Sequence, residues 1–145
     1  MTKIVHINEK LHGTVERAFK FFFKGKYALD AIVEPHVGGK YELFWDLDDR
    51  TKDTTSGCKF TVFEENRIIG ADWTGPPEFE NVMNTADPLT HLLVTFSPAA
   101  DHEVEVDLIH TGWGSSLEWE KARLYFENAW AQVFKMLKSY LKKDA

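Results

Sequence analysis

The segment SSLEWEKARLYFENAWAQVFKMLKSYLK, Ser115 to Lys142, decides the fold. Trp119, Ala122, Phe126, Trp130, Val133, Leu137 and Leu141 recur at steps of three and four. That spacing puts side chains on one face of an α-helix. Ser115 and Glu118 have the Ser-x-x-Glu spacing of a capping box. Acidic residues cluster early in the segment and lysines late, as the helix dipole favours. A helix over 116–142 would be about 40 Å long at about 1.5 Å per residue. Its apolar stripe needs a partner.

Upstream of the helix the period changes to two. Leu92, Val94 and Phe96 recur at every second position, as do Val104, Val106 and Leu108 on the way to His110. Ile69, Ala71 and Trp73 form a third such run, Cys58, Phe60 and Val62 a fourth, and Tyr41, Leu43 and Trp45 a fifth. Between the last two, 46–56 is charged and turn-rich and reads as a hairpin loop. The stretch 75–88 is long and irregular and carries Phe79, Val82 and Met83; it is a lid, a binding loop or a flexible segment. At the start, 3–11 alternates weakly and reads as a strand broken at His12-Gly13. Thr14 then has the character of an N-cap, with Val15, Ala18, Phe19 and Phe22 at helical spacing in a short helix ending near Gly25.

The order is strand, short helix, a run of about five or six strands and one long helix, which defines an α+β domain. The strands expose one face to water and need cover on the other. One helix is about 10 Å wide, whereas six strands span nearly ~30 Å. A flat sheet of that width cannot be covered by one helix, so the sheet must curl around it. Such a wrap closes well at one end and poorly at the other. The gap is either filled by large side chains or left as a pocket.

The bulk numbers fit one domain spanning 1–145, with 43% hydrophobic residues and an aromatic share of 14%, including 11 Phe and 5 Trp. That much ring surface makes either a bulky core or an aromatic-lined cavity. The formal net charge is -6 and the only dense basic run, 135–143, sits on the last helix turns, so nucleic acid is not an expected partner. No apolar run approaches the ~18 residues of a membrane span. A single cysteine, Cys58, and an N-terminus that does not read as a signal peptide lead to the expectation of a reducing, cytoplasmic location and no membrane anchor.

Chemistry-bearing motifs are sparse. The 6 histidines show no metal-ligand spacing, and neither a nucleophile elbow nor a phosphate-binding loop is present. No metal, cofactor or catalytic residue is therefore expected. Tyr41, Trp45, Trp73, Trp119, Phe126 and Trp130 fall on inward registers and are either core or the lining of a pocket for a planar or aliphatic ligand. His110 continues the inward register of its strand, as a satisfied core histidine or as a ligand or acid/base group, with Glu118 the carboxylate to pair with it. Arg123 either pairs with a carboxylate or holds an anionic head group. Trp113, beside two glycines, is placed to close a pocket mouth.

Several runs carry a family resemblance: EPHVGGKYELFWD (Glu34 to Asp46), Gly57-Cys58, WTGPP (Trp73 to Pro77), DPLTHLLVTFSP (Asp87 to Pro98) and HTGWGSSLEWEKARLYFENAW (His110 to Trp130). Together they resemble the SRPBCC superfamily, and within it bacterial homologues of the activator of heat-shock protein 90 ATPase. The resemblance runs from about residue 5 to 142. It implies the helix-grip fold of START and birch-pollen-allergen proteins: a curved antiparallel β-sheet wrapped around a long C-terminal α-helix. It also implies a small soluble domain with an interior cavity that binds an apolar or amphipathic ligand; Tyr41, Trp45, Trp73, His110, Trp113, Trp119, Arg123 and Phe126, singled out above by register and position, are the expected ligand-binding residues. Two alternatives follow from the same resemblance: a co-chaperone-like, stress-response protein with a chaperone partner, or a cavity-based enzyme such as a cyclase or hydrolase.

Overall fold

The computed structural model describes residues 3–143. In chain order the elements are β1 (Val5–His12), α1 (Val15–Phe23), β2 (Asp30–Val33), β3 (Tyr41–Phe44), β4 (Phe60–Glu64), β5 (Ile68–Trp73), β6 (Thr90–Pro98), β7 (Glu103–Thr111) and α2 (Leu117–Lys142). A short 3-10 turn, Pro77–Phe79, lies between β5 and β6. The main sheet is antiparallel with order β1-β7-β6-β5-β4 and does not close into a barrel.

Register explains the core. Phe60, Ala71, Leu92, His110 and Val5 are successive cross-strand partners, and Phe63, Ile69, Val94, Leu108 and Ile7 form the next row. Side chains alternate along each strand, so both rows point to the same face. That face receives α2, whose Ala122, Phe126, Trp130, Val133, Phe134, Leu137 and Leu141 are buried. The 26-residue helix is capped by Ser116, whose hydroxyl accepts from the Trp119 amide at 3.3 Å. The cap is thus one residue later than the Ser115–Glu118 spacing predicts.

Two further differences from the sequence reading have plain causes. The run Tyr41–Phe44 does not join the main sheet as a ladder; it pairs with β2 in a two-stranded ribbon. The ribbon is tied to the β4 side by a bridge between Lys40 and Lys59, with Tyr41 N donating to Cys58 O at 3.0 Å. In β4 the register shifts between Phe60 and Val62, so Val62 is exposed while Phe63 turns inward. An extra residue in one strand reverses the alternation beyond it.

The short helix α1 shares the task of covering the sheet. Thr14 caps it as expected, accepting from the Arg17 amide at 3.2 Å. Phe22 packs edge-on against Phe96 of the sheet and Phe134 of α2, with ring centroids 5.8 and 6.1 Å away. The stretch 75–88 is pinned down: Phe79 and Met83 are buried, and Asn84 closes the loop by bonding both the N–H and the C=O of Gly75. A Cβ on Gly75 would sit 2.5 Å from the Met83 sulfur, so a side chain here would displace the buried Met83.

Leu137 lies fully buried in the middle of the gripped helix face. Leu137→Ala is expected to lower stability by about 2–5 kcal/mol, whereas Lys138→Ala on the solvent side stays within about 0.5 kcal/mol. Urea unfolding followed by Trp fluorescence measures both; equal effects would contradict the docked geometry of α2.

Candidate functional site: an aromatic cleft beside the C-terminal helix

Where β5 ends at Trp73, the sheet and α2 part. The gap is a cleft of about 330 Å³, walled by Trp73, Trp130, Phe126, Tyr27, Trp45 and Tyr125. Asp53, Thr54 and the 74–76 segment form its lip, with Gln132, Val133 and Met136 along α2. The rings touch in sequence. Trp45 lies 6.2 Å from Tyr27, Tyr27 5.9 Å from Trp130, and Trp130 5.3 Å from Trp73. Phe126 continues the wall 6.2 Å from Trp130, and Tyr125 lies 5.1 Å from Phe126.

Hydrogen bonds hold these rings in place. The Trp45 indole donates to Tyr27 O at 3.1 Å. The Trp130 indole donates to Nδ1 of His110 at 3.0 Å, which makes Nδ1 an acceptor. His110 therefore carries its proton on Nε2 and donates to the Thr90 hydroxyl at 3.0 Å. The Thr90 hydroxyl donates in turn to Trp73 O at 3.0 Å. This relay links the two tryptophans at the floor of the cleft through a fully buried histidine. Burial, with a smaller contribution from His91, lowers the His110 pKa from 6.5 to about 3, so the ring is neutral.

A second buried relay stands behind the cleft. Tyr41 donates to Phe22 O, so the Tyr27 hydroxyl donates to that of Tyr41 at 3.0 Å. Burial keeps both phenols protonated well above their ordinary range.

Of the residues singled out in the sequence, Trp45, Trp73 and Phe126 line the cleft. Tyr41 is fully buried, stacked on Phe60 at 4.7 Å. His110 lies one layer behind the wall, with both ring nitrogens engaged by Trp130 and Thr90; Glu118, exposed on the first turn of α2, is not among those partners. Trp113 covers His110 from the far side, its ring 4.4 Å away and its indole donating to His110 O at 2.9 Å. Trp119 packs edge-on against Trp113 at 6.2 Å. Arg123 bonds Glu127 at 2.8 Å and also Glu120, giving the carboxylate pairing and not a free head-group clamp. Trp130 was read as inward, but Tyr27, Asp53, Thr54 and Tyr125 carry no sequence signal, because loops and a helix flank bring them to the cleft. Cys58 is buried and its thiol is pushed up to about 12, chiefly by burial. Among the described residues, no group of three or more His, Cys, Asp or Glu side chains is placed to hold a metal, and no helix is long and apolar enough to cross a membrane.

An open, bent antiparallel sheet gripping one C-terminal helix defines a helix-grip domain of the SRPBCC type. Solved structures share it at low identity. A protein from Mesorhizobium loti aligns with TM-score 0.75 at 12% identity, over 99% of each chain. The Aha1 dimer from Colwellia psychrerythraea gives 0.72 at 13%, over 97% of each. An HSP90 activator from Plasmodium falciparum gives 0.65 at 20%, over 89% of this chain and 88% of that one. The chain belongs to the family of Activator of Hsp90 ATPase homolog 1-like proteins, whose model matches residues 15–142. No curated protein matches it.

The buried neutral His110 has a consequence for stability. Between pH 6.5 and about 3 the unfolded chain takes up a proton on this residue that the native state refuses, so stability falls as pH falls through that window. From pH 7 to pH 5 the loss from this group is expected to be about 2 kcal/mol, read by urea denaturation. His110→Phe is expected to flatten that part of the profile. A wild-type profile level between the two pH values would contradict a buried, neutral His110.

Proposed function

We propose that the chain is a binding domain whose cleft takes a small, largely apolar molecule. The observation that carries this reading is the run of aromatic walls around an open recess of about 330 Å³. That volume lies at the small end of the ~300–1,000 Å³ range of ligand sites. An aromatic wall gives much contact area at little entropy cost, because the rings are already fixed. The relay through His110 supports this, since it orders Trp73 and Trp130 before any ligand arrives.

The neutral fluorescent probe N-phenyl-1-naphthylamine tests the reading. It is expected to bind saturably with increased emission. Ala129→Trp places a ring in the cleft from a half-buried helix position and is expected to abolish the signal. Trp45→Ala removes one wall and is expected to weaken binding about tenfold. Wild-type affinity in Ala129→Trp would place the probe elsewhere and overturn the proposal.

The family membership supports a second reading, a co-chaperone-like role toward the cognate heat-shock protein 90. Leu117, Leu124 and Met136 on α2 are exposed apolar residues suited to a protein contact. ATPase stimulation by the purified chain is the discriminating assay; unchanged ATPase and no complex by sedimentation remove this role.

A further inference from the structure

We infer that the occupant of the cleft is a small organic cation, an ammonium group carried on an apolar body, held by the aromatic walls and by the Asp53 carboxylate at the lip. This deepens the reading of the cleft as a ligand site and rests on it.

The first support is the lining. Trp45, Tyr27, Trp130, Trp73, Phe126 and Tyr125 enclose the recess. Ring faces carry negative potential, and indoles attract cations most strongly. A fatty tail alone would be served as well by Leu and Val, of which the lining holds only Val133.

The second support is the sign of the charge. Asp53 is the one charged side chain lining the cleft, and the residues that α2 contributes, such as Tyr125, Gln132 and Met136, carry none. The cations nearest in its loop are engaged elsewhere. Arg50 pairs with Asp30 at 2.7 Å and lies over the Phe44 ring at 4.8 Å, while Lys52 approaches Asp49 at 4.0 Å. Partial burial, and then the negative charges of Asp46 and Glu78, raise the Asp53 pKa. Asp53 and Tyr125 both line the cleft, and burial and then Asp53 and Glu78 raise the Tyr125 phenol as well. A carboxylate-headed ligand in the cleft meets Asp53, a like charge, and no cation among the lining residues. An ammonium head relieves the crowding of Asp53, Asp46 and Glu78 while its body fills the ring-lined recess.

Three ligands with one shared body test the inference: 4-phenylbutyl-trimethylammonium, 4-phenylbutan-1-ol and 4-phenylbutyrate. Each is titrated into the full chain at pH 7, and binding is read from the indole N–H resonances of Trp45, Trp73 and Trp130. The cation is expected to bind about tenfold tighter than the alcohol, with the carboxylate weakest. Asp53→Asn is expected to cut the cation-to-alcohol ratio to about two- or threefold, the part that the rings supply. Raising the salt is expected to lower the wild-type ratio in the same direction. If the alcohol or the carboxylate shifts these resonances and binds as tightly as the cation, the charge inference is overturned while the ligand site stands. If none of the three shifts them and the neutral fluorescent probe also fails, the ligand site itself is overturned. A tenfold cation preference that survives unchanged in Asp53→Asn removes Asp53 from the account.

Discussion

One helix cannot shield the face of a five-stranded sheet, and the rest of this structure follows from that mismatch. α2 carries a single apolar stripe about one helix-width across, while the sheet from β1 to β4 is about twice as wide. The sheet bends toward the helix, and what the bend leaves uncovered has to be closed by other means. On one side α1 does it, with Phe19 and Phe22 inserted against Phe96. On the other side, among the described residues, only the 3-10 turn Pro77–Phe79 arrives, with Phe79 against Tyr125 at 5.4 Å. Rings from α2, β5 and the residues flanking the small ribbon meet across the gap, and the space they do not fill is the cleft.

Six aromatic side chains, Tyr27, Trp45, Trp73, Tyr125, Phe126 and Trp130, meet at that gap. Large rings suit a space whose walls diverge, but a ring at an open edge is held by few neighbours. Polar tips supply the missing constraint. Trp45 is fixed through the Tyr27 carbonyl, and Trp130 and Trp73 are joined by His110 and Thr90. Each buried polar atom of that chain has a partner, so the chain adds orientation without leaving an unsatisfied group behind. His110 thus acts on the cleft from behind its wall.

The helix, β5, β6 and β7 were legible because their periods are long and uninterrupted: Trp119 to Leu141 keeps helical spacing, and Leu92 to Phe96 keeps period two. Other features were not legible because their causes are tertiary. β2 is four residues with a half-exposed pattern, and it is a strand only because β3 lies beside it. The shift in β4 depends on how Phe60 and Phe63 pack, which no local pattern announces. Register shows that a side chain points inward but not how far along the sheet it sits. Trp45, Trp73 and Phe126 therefore reached the cleft, while Tyr41, His110 and Trp119, read as equally inward, pack outside its lining. Arg123 showed its surroundings more openly, since Glu120 and Glu127 stand one helical turn away on either side.

If the embrace of α2 by the sheet is the governing constraint, helix and sheet must open together. Native-state hydrogen exchange measures this residue by residue. The account predicts that amides in the middle of α2, from Ala122 to Leu137, share with those of β6 and β7 a single opening free energy equal to that of global unfolding. Exchange of the α2 amides at a markedly lower free energy, with the sheet still protected, would show a sheet that stands without its helix and would contradict the account.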